Sequence, residues 1–266
     1  MPKDEPTRNK KTIAQIREEL KGAVHEELEP LARHYALDER KQVREMAERA
    51  LKRHAKEEAE RERVREMYRL MDELSEGALA VGVDEVGRGP VAGPLTVCAV
   101  ALPPEPIIWG LNDSKKLTPE RREELAAQIL QTATAVGIAH IEPAEIDACG
   151  MAASLRVAMR RAIADTGLDP QAVLVDGVPV HIHPGEVAVV HGDARVANIA
   201  AASIVAKVTR DAIMVAADEM YPGYSFAQAK GYASAEHIAA IKQRGLTPYH
   251  RASFCQNFLA DAHGEA

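Results

Sequence analysis

The chain has 266 residues, 46% of them hydrophobic, and a formal net charge of −7 at pH 7. That length allows one large domain or two small ones, and the negative balance excludes a protein that coats polyanions by bulk charge. The three scattered cysteines, Cys98, Cys149 and Cys255, exclude a disulfide framework and a zinc-ligand pattern, and no apolar run reaches membrane-spanning length. The charged start is unlike a secretory leader, so the cytoplasm is the expected location.

Residues 1–76 carry 18 Lys/Arg, 19 Asp/Glu and one glycine, Gly22, so they are near neutral, while the remainder is net negative. This part reads as helical throughout. Thr12 and Gln15 form a capping-box pattern before a helix reaching about Lys21. A second helix is expected from about Val24 to Tyr35. Asp38 is placed to cap a third, long one whose apolar stripe comprises Val43, Met46, Ala47, Ala50, Leu51, Ala55, Val64, Met67, Tyr68 and Met71. Gly77 is its expected stop. The dense mixed charge between Lys52 and Arg69 fits a solvated helix laced with i,i+4 pairs, or an accessory arm that touches nucleic acid or a partner.

From residue 79 the pattern becomes α/β. The apolar run Leu79–Val83 is a strand, ending in Asp84 and Glu85 before Gly87, Arg88, Gly89 and Pro90. The glycines read G-x-G-x-x-x-G and lead into a second strand, Leu95–Leu102, which does not fit a dinucleotide loop. A polar loop, Asn112 to Lys116, precedes a helix opened by Thr118 and Pro119. A strand at 135–141 and a helix at 144–166 follow. Strands at 172–175 and 187–190 deliver Asp176 and Asp193. An alanine-rich helix spans 197–220, a further helix spans 235–244, and TPYHRASF closes the patterned region at 247–254. His181 and His183 read as surface residues of a Pro-bounded loop.

Three predicted strands thus end in acids: Asp84-Glu85, Asp176 and Asp193. Carboxylates that converge repel one another, and hard divalent cations with oxygen ligands, Mg²⁺ or Mn²⁺, answer that need. Two such ions about 4 Å apart activate a water and stabilise the leaving oxygen of a phosphodiester.

These residues lie in blocks that resemble bacterial ribonuclease HII, the type 2 ribonuclease H family: DEVGRGPVAGP (84–94), NDSKKL (112–117), LVDG (174–177), GDARVANIAAASIVAKVTRD (192–211), KGY (230–232) and HRASF (250–254). The resemblance covers roughly 79–255. It implies a ribonuclease H-like α/β fold, a mixed five-stranded sheet flanked by helices, at 77–266, with 1–76 as an N-terminal helical extension. It implies that Asp84, Glu85, Asp176 and Asp193 are the catalytic, metal-binding acids, holding two Mg²⁺ or Mn²⁺ ions during catalysis. Gly87, Arg88 and Gly89 would read the ribose 2′-OH and the adjacent phosphate, and Tyr232 would pack on the following deoxyribose. Lys115, Lys116, Ser203 and Lys207 would contact phosphates, and Asp211 reads as a helix salt-bridge partner.

The implied activity is hydrolysis of the RNA strand of RNA–DNA hybrids and incision 5′ of ribonucleotides embedded in duplex DNA, leaving 5′-phosphate and 3′-OH ends. The implied roles are removal of misincorporated ribonucleotides and of primer RNA, by a monomer with no membrane partner. Alternatives are a DNA nuclease or resolvase on the same type of fold, and a nucleic-acid-binding protein without turnover. Gly150 stands where the family commonly has asparagine, so the helix there is expected to start late or bend. His191 stands where a lysine is common, which would weaken a phosphate contact near neutral pH.

Overall fold

The computed structural model describes residues 11–260; the charged first ten residues lie outside the described part. Contacts divide the chain into two compact units, one running to Arg63 and one starting at Val64.

In the first unit, helix α1 (Ile13–Gly22) starts at the expected capping box: Gln15 N–H donates to Thr12 Oγ1 at 3.2 Å, and Thr12 N–H donates to Gln15 Oε1 at 2.8 Å. Helix α2 spans His25–Tyr35 and helix α3 spans Lys41–Ser75. Asp38 stands just ahead of α3. Its carboxylate accepts from the Arg40 backbone N–H and from Arg40 Nε and Nη2, and the helix begins after that local knot. Ile16, Leu20, Leu28, Ala32, Val43 and Ala47 form the core of this unit. Between residues 51 and 63 no side chain of α3 is fully buried, and Ala55, expected on the apolar stripe, is exposed.

The stripe resumes in the second unit, where Val64, Met67, Tyr68 and Met71 join a core with strand and helix residues. Gly77, at φ 72°, sends its N–H to the Asp72 carbonyl at 3.0 Å and closes α3. The remaining elements are β1 (Ala80–Val86), β2 (Leu95–Ala101), α4 (Pro119–Thr132), β3 (Ala135–Ile141), α5 (Pro143–Cys149), α6 (Met151–Asp165), β4 (Ala172–Asp176), β5 (Glu186–Val189), α7 (Ala197–Met220), α8 (Phe226–Ala229), α9 (Ala235–Arg244) and α10 (Ala252–Ala260). The five strands form one mixed sheet in the order β3-β2-β1-β4-β5. The β1–β2 and β2–β3 pairs are antiparallel, and the β1–β4 and β4–β5 pairs are parallel.

Strand alternation sorts the core into two layers. Val81, Val83, Val97, Val173 and Val175 face α6 on one side. Cys98, Val100 and Leu174 face α4 and α7 on the other. Gly82 lets α7 reach the central strand: a methyl there would stand 2.3 Å from the Asn198 carbonyl carbon. Among the described residues no helix is long and apolar enough to cross a membrane.

One local reading changes. The helix expected at 144–166 is two helices, because Gly150 takes φ 75° and ψ 157°, which ends α5 and starts α6 anew. The first strand carries both acids at its end, as expected, and runs one residue further. Pairing with β2 continues through Asp84↔Cys98 and Glu85↔Val97 to Val86↔Thr96, and Gly87, at φ 94°, ends it.

Candidate active site

Because the strand runs on, Asp84 and Glu85 point to opposite sides of the sheet. Asp84 shares the α7 side with Gly82. The parallel register ends at Val83↔Val175, so the next residues, Asp84 and Asp176, are neighbours on that same side. Asp193 arrives by another route, on a short 3₁₀ turn, Gly192–Ala194, between β5 and α7. Asp176 fastens that turn: its Oδ1 accepts Gly192 N–H at 2.7 Å and Asp193 N–H at 3.4 Å. Carboxylate oxygens of Asp84, Asp176 and Asp193 thereby lie within 4.8 Å of one another. Glu85 is not in that trio; its Oε1 accepts from Arg88 Nη1 at 3.1 Å.

Burial is the largest cause holding Asp84 well above the usual carboxylate range, and the charges of Glu85 and Asp176 add to it. Asp193 is raised by burial and then by Asp176 and Asp113. Glu85 is raised mainly by burial, with Arg88 opposing. Among the described residues no Lys or Arg pairs with any of the three aspartates. An oxygen-only donor set, negatively charged and lacking a protein cation, fits a hard divalent metal ion and does not fit a soft one.

Around the acids the expected contact residues take distinct positions. Gly89 and Tyr232 are adjacent: a methyl on Gly89 would stand 3.8 Å from Tyr232 Cε1, and the Tyr232 ring is half exposed. Arg88, Lys115 and Lys116 are exposed. Lys207 pairs with Asp211 at 2.6 Å, the helix salt bridge expected for Asp211. Ser203 is buried, its hydroxyl 3.0 Å from Ser114 Oγ and facing the Asp84 carboxylate, so it ties the 112–117 loop to α7 beneath the acids. His191 is exposed in the left-handed region, at φ 55°. His181 is exposed, and His183 Nδ1 accepts Gly185 N–H.

Two residues that sequence reasoning passed over hold the glycine loop. Arg251, fully buried, donates to the carbonyls of Gly87, Arg88, Pro90 and Gly93 at 2.7–3.2 Å. Arg210, also fully buried, donates to Ala92, Pro94 and Lys230 carbonyls at 2.9–3.0 Å. The sequence signal for Arg210 is an arginine inside an alanine-rich helix, next to Asp211.

A third group braces Tyr232. His237 Nδ1 lies 2.8 Å from the Tyr232 carbonyl, and His237 Nε2 lies 3.1 Å from His250 Nε2. Thr247 N–H donates to His250 Nδ1 at 2.9 Å. A backbone N–H only donates and a carbonyl only accepts, so one neutral arrangement satisfies the chain: His250 Nε2–H donates to His237 Nε2, and His237 Nδ1–H donates to Tyr232.

Comparison with known proteins gives a consistent result. The family model described as Ribonuclease HII matches residues 81–257, and the model described as Ribonuclease HII N-terminal domain matches 12–74. A ribonuclease HII of Geobacillus thermodenitrificans is 42% identical over 246 residues, covering 92% of this chain and 93% of the relative. The ribonuclease H2 structure from Pyrococcus horikoshii OT3 superposes with a TM-score of 0.61 at 27% identity, over 70% of this chain and 99% of that one. Bst-RNase HIII, solved in complex with Mn²⁺, shares the fold at a TM-score of 0.58 and 19% identity, over 70% of each chain.

Proposed function

The chain belongs to the ribonuclease HII family of metal-dependent ribonucleases H, and from that premise we propose that it cuts on the 5′ side of ribonucleotides embedded in duplex DNA as well as within the RNA strand of hybrids. The reading rests on one juxtaposition. The Tyr232 ring lies against Gly89, in the loop that follows directly from the strand carrying Asp84. A site that distinguishes RNA from DNA must meet the 2′-OH with close backbone and test the neighbouring sugar. Gly87–Gly89 supply the close backbone and Tyr232 supplies a flat surface for the sugar that follows.

Asp84, Asp176 and Asp193, with Glu85 beside them, would hold Mg²⁺ or Mn²⁺, and the Mn²⁺ complex of Bst-RNase HIII supports that choice. Two bound ions would supply an activated water and stabilisation of the departing 3′ oxygen, giving 5′-phosphate and 3′-OH ends. The chain's own residues set the frame for that chemistry. Asp176 fixes the turn that carries Asp193 through the Gly192 N–H. Ser203 ties α7 to the 112–117 loop through its hydroxyl's bond to Ser114. Arg88 holds Glu85 on the loop side of the strand. Lys115 and Lys116, exposed beside Asp113, are placed for phosphate contact, and Lys207 on α7 would reach a phosphate by leaving its ion pair with Asp211. The chemistry is assigned to residues 77–266, with 1–76 as an accessory helical extension.

The test is Mg²⁺-dependent cleavage of a DNA duplex carrying one ribonucleotide, beside an all-DNA duplex. A single cut 5′ of the ribonucleotide, with the all-DNA duplex intact, is the expected result. Cleavage of both would leave a nuclease without 2′-OH discrimination. Cleavage of neither, with Mg²⁺ or Mn²⁺ and with a long RNA run also tried, would overturn the assignment.

A further inference from the structure

A polyanion must be bound by a chain of net charge −7 whose reactive face is acidic, so positive charge has to be concentrated somewhere. In the first unit, opposite charges at helical spacing are the rule: Glu29–Arg33, Lys41–Glu45 and Glu60–Arg63 are ion pairs, and Arg61 reaches Glu26. One surface departs from this rule at three of its four cations. A groove of 410 Å³ between α1 and α3 is lined by Arg17, Lys21, Arg49 and Arg53 over a floor that includes Leu20 and Met46, with no carboxylate in its lining. Arg17, Lys21 and Arg49 are exposed and have no hydrogen-bond or ion-pair partner among the described residues.

Their spacing makes the arrangement costly for an isolated helical unit. Arg17 and Lys21 stand i,i+4 on α1, and Arg49 and Arg53 stand i,i+4 on α3, so both helices turn a like-charged pair toward the groove. Arg53 is engaged twice, donating to the Leu20 carbonyl at 2.8 Å and pairing with Glu57 at 3.8 Å, and Lys21 complements the C-terminal end of the α1 dipole. Arg17 and Arg49 have neither. Their guanidiniums are planar, permanently charged donors suited to phosphate oxygens.

We propose that this groove docks the sugar–phosphate backbone of the duplex substrate, a contact separate from the acidic site. The proposal rests on the reading of the chain as a nuclease of duplexes. Phosphate contacts position a duplex without reading its sugar or base, so the groove would hold ribonucleotide-containing and all-DNA duplexes alike.

The experiment uses the full chain carrying Arg17→Gln and Arg49→Gln together. Binding of fluorescent duplexes, one with a single ribonucleotide and one all-DNA, is followed by anisotropy without divalent metal across a salt series. Each lost phosphate contact should flatten the log K against log[salt] slope by about 0.9, so the pair should flatten it by about 2 and weaken Kd roughly tenfold at 0.1 M salt. Both duplexes should be affected equally. The turnover number at saturating ribonucleotide substrate should stay at the wild-type value, and Arg17→Lys with Arg49→Lys should restore the slope. An unchanged slope and Kd with cleavage intact would overturn the groove alone, including in favour of an acidic protein partner. A loss confined to the ribonucleotide duplex would also overturn it. A wild-type chain that neither binds nor cuts any duplex would overturn the functional reading beneath it.

Discussion

Arg251 Nη2 donates to the Gly87 carbonyl at 2.7 Å, joining the entrance of the last helix to the loop after β1 across 164 residues. The same guanidinium also reaches Arg88, Pro90 and Gly93 carbonyls, so one side chain fixes the backbone whose glycines are assigned to the 2′-OH. Among the described residues no carboxylate forms an ion pair with it. Burial and the neighbouring Arg210 push it down to about 10, which leaves it cationic at neutral pH.

Lysine cannot replace that fork. Its three donors leave a point charge, whereas five bonds run from Arg251 to four carbonyls. Arg251→Lys should cost about 2 kcal/mol and Arg251→Ala about 3–5 kcal/mol in urea unfolding, since carbonyls are orphaned in a buried site. In the lysine variant, KM for a duplex with one ribonucleotide should rise more than kcat falls. A variant with wild-type stability and KM would show the loop to be held by other contacts.

The His250–His237 pair gives the second unit a defined acid sensitivity. Burial lowers both, His250 to about 4 with the proximity of His237 as the next cause. The folded pKa lies below the unfolded one, so the unfolded chain binds more protons between them. Stability is therefore full above about 6.5 and is lost as pH falls toward 4. For His250 alone the loss by pH 5 is about 2 kcal/mol. Urea midpoints between pH 7.5 and 5 should fall with that slope, and His250→Gln should flatten it. An unchanged slope in the variant would place the acid sensitivity elsewhere. Because His237 carries the Tyr232 carbonyl, ribonucleotide binding should weaken over the same window.

Much of this site could be read before the fold was known, because its acids are local signals. An apolar run ending in Asp84-Glu85 and a further strand ending in Asp176 survive in sequence as strand-end patterns, whereas Asp193, expected at the end of a third strand, lies beyond β5 on its own turn. The mixed five-stranded sheet expected from the motif blocks is present. What escaped is non-local. That Asp84 joins Asp176 while Glu85 turns to Arg88 depends on β2 extending β1 past the acids. Arg210 and Arg251 bond carbonyls rather than acids, so charge pairing along the chain gives no hint of their partners. Gly150 was visible as a departure, but its break of the helix requires the φ of 75°.

Composition and contacts divide the chain at different places, at 76/77 and at 63/64, and truncation separates them. Val64, Met67, Tyr68 and Met71 are buried in the core of the second unit, and the Tyr68 hydroxyl accepts Ile108 N–H at 3.1 Å. A chain starting at Val64 should fold and cleave at saturating substrate. One starting at Gly77 loses four core side chains, on the order of 5–10 kcal/mol, comparable to the stability of a whole domain. Circular dichroism melts of the two fragments decide the matter: equal stability would mean that the last turns of α3 are dispensable.

Asp84→Asn separates a metal-binding role from a structural one. Asp84 is buried at 6% exposure beside Asp176 and Glu85, so in the metal-free chain its carboxylate is a burden on the fold. The amide keeps the shape and removes the charge that the cluster repels. The metal-free variant should therefore melt a few degrees higher than the metal-free wild type, a gain of about 1 kcal/mol, as is common when a residue kept for function is neutralised. Added Mg²⁺ or Mn²⁺ should raise the wild-type melting temperature, by mass action on the folded state, and should raise that of Asp84→Asn much less. Cleavage of the ribonucleotide duplex should fall at least a hundredfold while metal-free duplex binding survives. If the variant instead melted lower and still cut within tenfold of wild type, Asp84 would be a packing residue, and the metal would have to be held by the remaining acids alone.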